Sequence, residues 1–156
     1  MLSVVIPTYN DEDYLPIAVA SALQLDNLGE IIVIDDCSED DTSQLMNKLK
    51  NKSNSIKYFK NKKNIGVGFS FIKGIIKSKF PYVLMCNSDD FFIPKNIDKL
   101  FYYLLTHDLD LAYGKMAIQK ENQIFKFSHP GYLTDNYVNT RNEFKDLLIF
   151  DMYMPS

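Results

Sequence analysis

Short apolar runs and amphipathic stretches alternate along the first hundred residues of the chain. The apolar runs are rich in β-branched residues and predict strands at residues 2–6, 30–34, 56–59 and 82–86. Between them, apolar residues recur at helical spacing, which predicts helices at about 10–25, 40–49, after Gly68 and from Pro94 onward. Alternating strands and helices are typical of βαβ units with right-handed crossovers. The pattern therefore predicts an α/β fold, a three-layer α/β/α sandwich with a mostly parallel central sheet.

Each predicted helix carries an apolar stripe that is expected to face the sheet. The stripe residues are Leu15, Val19, Ala22 and Leu23 in the first helix, Leu45, Met46 and Leu49 in the second, Phe69, Ile72, Ile75 and Ile76 in the third, and Ile97, Leu100, Phe101 and Leu104 in the fourth. Pro7 is expected to end the first strand, because proline has no N–H to donate to a neighbouring strand. Further strands are predicted at residues 109–117 and 123–127, and a last helix at 141–150.

Two pairs of adjacent acidic residues follow predicted buried strands. Asp35 and Asp36 close the second strand, and Asp89 and Asp90 come shortly after the fourth. Because parallel strands point the same way, both pairs are expected at the edge where α/β proteins bind ligands. Adjacent carboxylates are costly unless a cation or a hydrogen-bonded ligand lies between them, so the pairs predict a metal or polyol site. The alternatives are a capped turn for the later pair and capping of the helix near Asp40 for the earlier one.

Chain length and net charge limit the number of domains and the kinds of ligand that are expected. The chain has 156 residues and a net charge of −3, which suits one domain and argues against binding driven by nucleic-acid phosphates. Seven lysines without an acidic residue lie between Lys48 and Lys63. They predict a solvated surface, and the alternative is a surface that meets anionic lipid headgroups or a phosphorylated substrate.

The cysteine pattern and the hydropathy of the sequence indicate the cellular compartment in which the protein is expected. Cys37 and Cys86 form no CxxC pair, which excludes a zinc-cluster spacing and fits a reducing environment. Neither a signal peptide nor an apolar stretch of membrane-spanning length is evident. A cytoplasmic protein is therefore expected, with peripheral contact to the inner membrane face left open.

Four motifs, in their order and spacing, resemble the GT-A fold glycosyltransferases of the inverting family 2. The motifs are VVIPTYN at residues 4–10, IVIDDCS at 32–38, NIG at 64–66 followed by Gly74, and NSDD at 87–90. The resemblance implies a single nucleotide-sugar-binding domain over residues 1–156. Residues 1–118 would form the donor-binding core, and residues 119–156 would begin the acceptor side, which looks truncated. The implied activity is transfer of a sugar to an acceptor hydroxyl, with inversion at the sugar carbon.

The resemblance also implies roles for residues of the first two motifs. Pro7, Thr8 and Tyr9 would border the base of the nucleotide-sugar, with Tyr9 against its ring. Asp36 would accept a hydrogen bond from the base, for which uracil is favoured. A UDP-sugar is therefore the expected donor.

The last two motifs complete the implied donor site. Asn64 and Gly66 would form a turn at the donor, and Asp89 would face ribose or sugar hydroxyls. Asp90 would hold Mn²⁺ or Mg²⁺ bridging the diphosphate. A glycan or a lipid-linked molecule would be the acceptor, and self-association is an open alternative.

The sequence departs from the family pattern in the third helix and at its end. Family members usually carry Arg-Asn where this chain has Phe71 and Ile72, although Lys73 lies one position further on. No residue stands out as the general base that an inverting transfer needs. A module that binds nucleotide-sugar without turnover is therefore the main alternative. A nucleotidyltransferase is disfavoured, since no glycine-rich basic loop follows the first strand.

Overall fold

The computed structural model describes residues 1–112, 117–120 and 123–126. Contacts divide the chain into two compact units, Met1–Asp98 and Lys99–Ser156, and each is described by itself. The elements, in chain order, are β1 (Leu2–Thr8), α1 (Leu15–Ala22), β2 (Leu28–Asp35), α2 (Thr42–Lys50), β3 (Ile56–Lys60), α3 (Val67–Lys77), β4 (Tyr82–Met85), α4 (Pro94–Thr106), β5 (Ala117–Lys120) and β6 (Gln123–Lys126).

The first unit is built on a parallel sheet with the strand order β3-β2-β1-β4. The hydroxyl of Tyr58 in β3 is hydrogen-bonded to Ser43 of α2, whereas the next residue, Phe59, packs in a core cluster with Phe71 of α3. Because successive strand residues point to opposite faces, α2 and α3 cover opposite faces of the sheet. The predicted three-layer α/β/α architecture is confirmed.

The burial of the two central strands explains why their sequences are continuous apolar runs. Every residue of β1 is buried, as are residues 30–35 of β2. Val5, Ile32 and Ile34 form the core cluster beneath α3. Strands covered on both faces appear as continuous apolar runs, because each side chain meets a helix layer.

The first strand continues past the point where the sequence predicts its end. Pro7 pairs with Ile34 and Thr8 with Asp35, so β1 includes the proline. Val5 accepts a hydrogen bond from Cys86 on the β4 side, and Thr8 accepts one from Asp36 on the β2 side. By this alternation the Pro7 nitrogen faces the β4 side, beyond the end of that strand. The missing N–H therefore has no strand to pair with, and the proline is tolerated.

The prediction that the apolar stripe of α3 faces inward is wrong. Phe69, Ile72, Ile75 and Ile76 are all exposed, and the buried residues of this helix are Ser70 and Gly74. Gly74 lies directly against the Val5 side chain, so that a Cβ atom there would overlap it. Small residues let the helix approach β1 closely, which turns the larger apolar residues outward. Leu23, predicted to face inward at the end of α1, is also exposed.

The second unit contains an antiparallel pair formed by β5 and β6. The strand predicted at residues 109–117 begins only at Ala117 among the described residues. Asp108 has a φ of 51°, and the Leu109 N–H donates to the Leu104 carbonyl, so the chain at this point closes helix α4 as a turn. The strand predicted at 123–127 corresponds to β6. The helix predicted at 141–150 lies outside the described residues.

Within the described part of the chain, no helix combines the length and the apolar character needed to cross a membrane. The predicted division into residues 1–118 and 119–156 stays a prediction.

Candidate functional site

The loops that follow β1, β2 and β4 lie at the carboxyl edge of the parallel sheet and are hydrogen-bonded to one another. The Asn10 backbone N–H donates to Ser38 Oγ at 3.0 Å, and the Glu39 N–H donates to Asn10 Oδ1 at 2.8 Å. On the other side, the Ser88 hydroxyl donates to Asp11 Oδ2. The two acid pairs therefore emerge on one connected edge, where α/β sheets bind ligands.

The Asp36 carboxylate is buried and engages the turn that precedes α3. Its Oδ1 accepts hydrogen bonds from Asn61 Nδ2 at 2.8 Å and from the Ile65 N–H at 2.9 Å. Its Oδ2 accepts one from the Gly66 N–H at 2.7 Å. Gly66 has a φ of 87°, a region that glycine adopts without strain. The carboxylate thus holds the turn in the shape from which α3 begins.

The same contacts set the ionisation of Asp36. Burial would raise the pKa of this carboxyl, but hydrogen bonds from Asn61, Ile65 and Gly66 stabilise the ionised form and hold the pKa below its ordinary value. Asp36 is therefore negatively charged at neutral pH although it is only 3% exposed. These contacts assign it to ordering the turn, and its contact with a base stays a prediction.

Asp35 points to the opposite face of the sheet from Asp36. Its Oδ1 accepts from the Ser38 N–H at 2.7 Å, its Oδ2 accepts from the Tyr58 hydroxyl, and Lys60 Nζ lies 3.7 Å from Oδ2. Burial and the hydrogen bond to Asp35 raise the pKa of Tyr58, so the phenol stays a neutral donor. Strand alternation thus separates the two carboxylates, and each is satisfied by its own protein partners.

The second acid pair is open to solvent. Asp89 and Asp90 are both exposed, and Asp90 Oδ2 accepts a hydrogen bond from Asn87 Nδ2 at 3.3 Å. Burial, followed by the negative charges of Asp90 and Asp89, raises the pKa of the Cys86 thiol to about 12. Both carboxylate charges therefore lie near this thiol, which stays protonated and unreactive at neutral pH.

The chemistry of this pair fits a hard divalent cation. Mg²⁺ and Mn²⁺ prefer oxygen ligands, and Mg²⁺ typically takes one or two carboxylates from the protein and the remainder from phosphates and water. No group of three or more His, Cys, Asp or Glu side chains is arranged to hold a metal in the described ranges. A cation at Asp89 and Asp90 would therefore take its remaining ligands from water and from a bound diphosphate.

The residues predicted to border a base lie at the end of β1. Pro7 and Thr8 are buried, and Tyr9, just beyond the strand, is 46% exposed. Thr8 Oγ1 is buried and has no hydrogen-bond partner in the described part of the chain. The edge thus offers an accessible aromatic ring, whereas the Thr8 hydroxyl is enclosed by the protein.

One polar residue of the site was missed by the sequence reasoning. Asn61 is buried, donates to both Asp36 and Ser70 Oγ, and accepts a hydrogen bond from Lys73. It therefore joins the carboxylate to α3. Its position directly after β3 was the available signal, because the same criterion identified the acid pairs after the other strands.

Comparison with known proteins places this geometry in a family. The sequence matches the family described as Glycosyl transferase family 2 over residues 3–153. It is 29% identical over 119 residues to an uncharacterized glycosyltransferase of Haemophilus influenzae, covering 75% of this chain and 47% of the relative. It is 30% identical over 122 residues to the Escherichia coli UDP-Glc:alpha-D-GlcNAc-diphosphoundecaprenol beta-1,3-glucosyltransferase WfaP, covering 78% and 48%. The chain thus spans less than half the length of these relatives.

A solved structure shows the same fold. The crystal structure of Staphylococcus aureus TarS 1–349 in complex with UDP-GlcNAc superposes with a TM-score of 0.63 at 30% sequence identity. The match covers 70% of this chain and 32% of the TarS chain. The likeness therefore extends over most of this chain and about a third of the TarS 1–349 fragment.

Proposed function

Because this chain belongs to glycosyl transferase family 2, we propose that it binds a UDP-sugar and a divalent cation at the carboxyl edge of its sheet. The reaction would transfer the sugar, with inversion, to a hydroxyl of a glycan or lipid-linked acceptor. The observation that carries the proposal is the joined edge, to which β1, β2 and β4 bring Tyr9, Asp36 and the pair Asp89–Asp90. The UDP-GlcNAc bound by TarS and the UDP-Glc in the name of WfaP support uracil as the base.

Tyr9 and Asp36 have different roles in the proposed donor site. The exposed ring of Tyr9 offers a stacking surface for the base, next to the buried strand residues Pro7 and Thr8. Asp36 keeps the turn of Asn64 and Gly66 in place through its hydrogen bonds.

The open acid pair would take the polar end of the donor. Asp89 is accessible to ribose or sugar hydroxyls, and Asp90 would hold Mn²⁺ or Mg²⁺ against the diphosphate. A cation bound there supplies positive charge that stabilises the leaving diphosphate. The chain's own contribution is to fix the Asp90 loop, through hydrogen bonds between Asp90 and Asn87.

A second candidate is a module that binds the donor without turnover. One observation favours it: Phe71 packs against the core cluster of Val5, Ile32 and Ile34, where family members usually carry a basic residue. The two candidates share the donor site and differ only in whether sugar is transferred.

Thermal unfolding of the 156-residue chain with nucleotides tests the shared donor site. With Mn²⁺ present, UDP at 100 times its dissociation constant is expected to add about 2.7 kcal/mol of stability. This corresponds to a melting shift of roughly 5–10 °C, and GDP or CDP is expected to give less. The shift is expected to shrink without Mn²⁺ and in Asp90→Ala.

The matched control is Asp26→Ala. Asp26 is an exposed acid that lies in the loop leading into β2, at the opposite edge of the sheet, so its removal is expected to leave the UDP shift intact. The donor site is refuted if no nucleotide raises the melting temperature, or if both variants lose the shift equally. UDP release from UDP-sugars, measured next, separates an enzyme from a binding module.

A further inference from the structure

The charge of the chain is distributed very unevenly along its sequence. From residue 48 to residue 88 there are ten lysines and no acidic residue, although the whole chain has a net charge of −3. Only Lys57 and Lys60 form ion pairs among the described residues, with Glu30 and Asp35. The remaining lysines of this stretch therefore keep an unneutralised positive charge.

The outward face of α3 joins part of this charge to a large apolar surface. Phe69, Ile72 and Ile76 are 65%, 51% and 78% exposed, and they recur at helical spacing on one side of the helix. Together with Ile65 they line an open groove of about 650 Å³. Isolated exposed apolar residues are ordinary, but a contiguous apolar groove marks a contact surface.

Lysines lie within and beside this groove. Lys63, Lys73 and Lys77 are among its lining residues. Lys73 donates to the neutral Asn61 side chain, and Lys77 Nζ lies 4.2 Å from the centre of the Phe59 ring, so neither charge is cancelled by these contacts. The groove is therefore both apolar and positively charged.

We propose that the α3 face, defined as Lys63, Ile65, Phe69, Ile72, Lys73, Ile76 and Lys77, docks on an anionic membrane surface. A helix that exposes apolar side chains flanked by lysines buries the former at the headgroup boundary and attracts acidic lipids with the latter. A symmetric contact with a second copy is disfavoured, because it would bring the same three lysines against their own counterparts. The proposal goes beyond donor binding, and the groove borders the donor turn at Asn64.

Co-sedimentation with vesicles tests the docking surface. The chain is expected to bind vesicles of phosphatidylcholine with 30 mol% phosphatidylglycerol and to remain in solution with phosphatidylcholine alone. Raising the salt concentration is expected to weaken binding, because exposed charges are screened within about 10 Å at 0.1 M ionic strength. Each lysine near the surface is expected to contribute about fivefold to the partition constant.

Paired variants distinguish vesicle binding by the α3 face from a general effect of surface charge or hydrophobicity. Ile72→Asp is matched by Ile17→Asp, because Ile17 is 54% exposed on α1, a different helix. Lys63→Glu is matched by Lys48→Glu, in which the exposed Lys48 lies on α2, across the sheet from α3. We expect the α3-face variants to lose at least fivefold in vesicle binding and the controls to stay within twofold.

Circular dichroism and the UDP-dependent melting shift show whether a variant is still folded and still binds UDP. Ile72→Asp is expected to retain its circular dichroism spectrum and its UDP-dependent melting shift, so loss of vesicle binding is not a folding or donor-site defect. The proposal is overturned if the α3-face variants and their controls bind vesicles alike, or if neutral vesicles bind equally well. It is also overturned if the chain ignores vesicles and sedimentation equilibrium shows a dimer that Ile72→Asp dissociates.

Discussion

Asp36 connects three parts of the carboxyl edge through a single side chain. It is bonded to Asn61 after β3 and to the backbone of Ile65 and Gly66, while its own N–H reaches Thr8. A buried donor that loses its acceptor costs about 1–3 kcal/mol. Of the three donors to this carboxylate, Asn61 is buried and the bonds from the Ile65 and Gly66 N–H groups are partly buried. The stability of the edge therefore depends strongly on this residue.

Replacing Asp36 by alanine is expected to lower the free energy of unfolding by about 2–4 kcal/mol, because one buried and two partly buried donors lose a charged acceptor. Urea unfolding at pH 7 measures the loss. Asp89→Ala, at an exposed acid of the same edge, is expected to stay within about 0.5 kcal/mol. Equal losses in the two variants would contradict the structural role given to Asp36.

The pH dependence of stability follows from the lowered pKa of Asp36. A carboxyl whose pKa is lower in the folded protein binds fewer protons than in the unfolded chain, so its stabilisation is present above the unfolded pKa of about 3.9. It is lost as the pH falls through the folded pKa. Urea unfolding from pH 7 to pH 3 is expected to show a smaller decline in Asp36→Ala than in the wild type. Parallel declines would show that Asp36 is not responsible.

The sequence located the acids of the site but not their partners. An apolar run that stops at Asp35 and Asp36 reveals a strand end, because burial dictates the residue types up to that point. The division of the two carboxylates between opposite faces depends on strand register, and the contact with Asn61 joins residues far apart in the chain. No local pattern contains that information.

At the scale of elements, α3 shows how a glycine sets the packing of a helix. Gly74 lies against Val5, and Gly68 in the same helix has open space where a Cβ would be. Alanine favours a helix over glycine by about 1 kcal/mol in a helix interior. Gly74 lies in the interior of α3 and Gly68 in its first turn, and only Gly74 lies against another element.

Gly74→Ala is expected to destabilise the chain by roughly 1–3 kcal/mol, since the added methyl group must displace α3 or Val5. Gly68→Ala is the matched control and is expected to be neutral or stabilising by up to about 1 kcal/mol. Urea unfolding of both variants gives the comparison. A stabilised Gly74→Ala would show that α3 does not lie close against β1.

Helical periodicity groups residues on a face but does not say which face packs inward. In α3 the larger stripe of Phe69, Ile72 and Ile76 is exposed, and the smaller Ser70 and Gly74 face the sheet. Hydrophobicity alone ranks these faces the wrong way round, because close approach depends on side-chain size. The central strands were predictable because helices cover both of their faces.

For the whole molecule, two surfaces account for features that the sheet core does not need. The carboxyl edge gathers exposed acids beside an accessible tyrosine, and the α3 face gathers exposed apolar residues beside lysines. The fold class and the shared edge were predictable, since both follow from the alternation of strands and helices. The α3 face was not, because the sequence pattern assigned its residues to the core.

In the proposed binding mode, a UDP-sugar lies across the carboxyl edge and a cation at Asp90 holds its diphosphate. A crystal structure with UDP and Mn²⁺, with the metal located by its anomalous scattering, measures this directly. We expect a manganese peak within coordination distance of an Asp90 carboxylate oxygen and of the diphosphate, with the uracil against Tyr9. A nucleotide bound away from β1 and β2, or manganese without contact to either Asp89 or Asp90, would contradict the account.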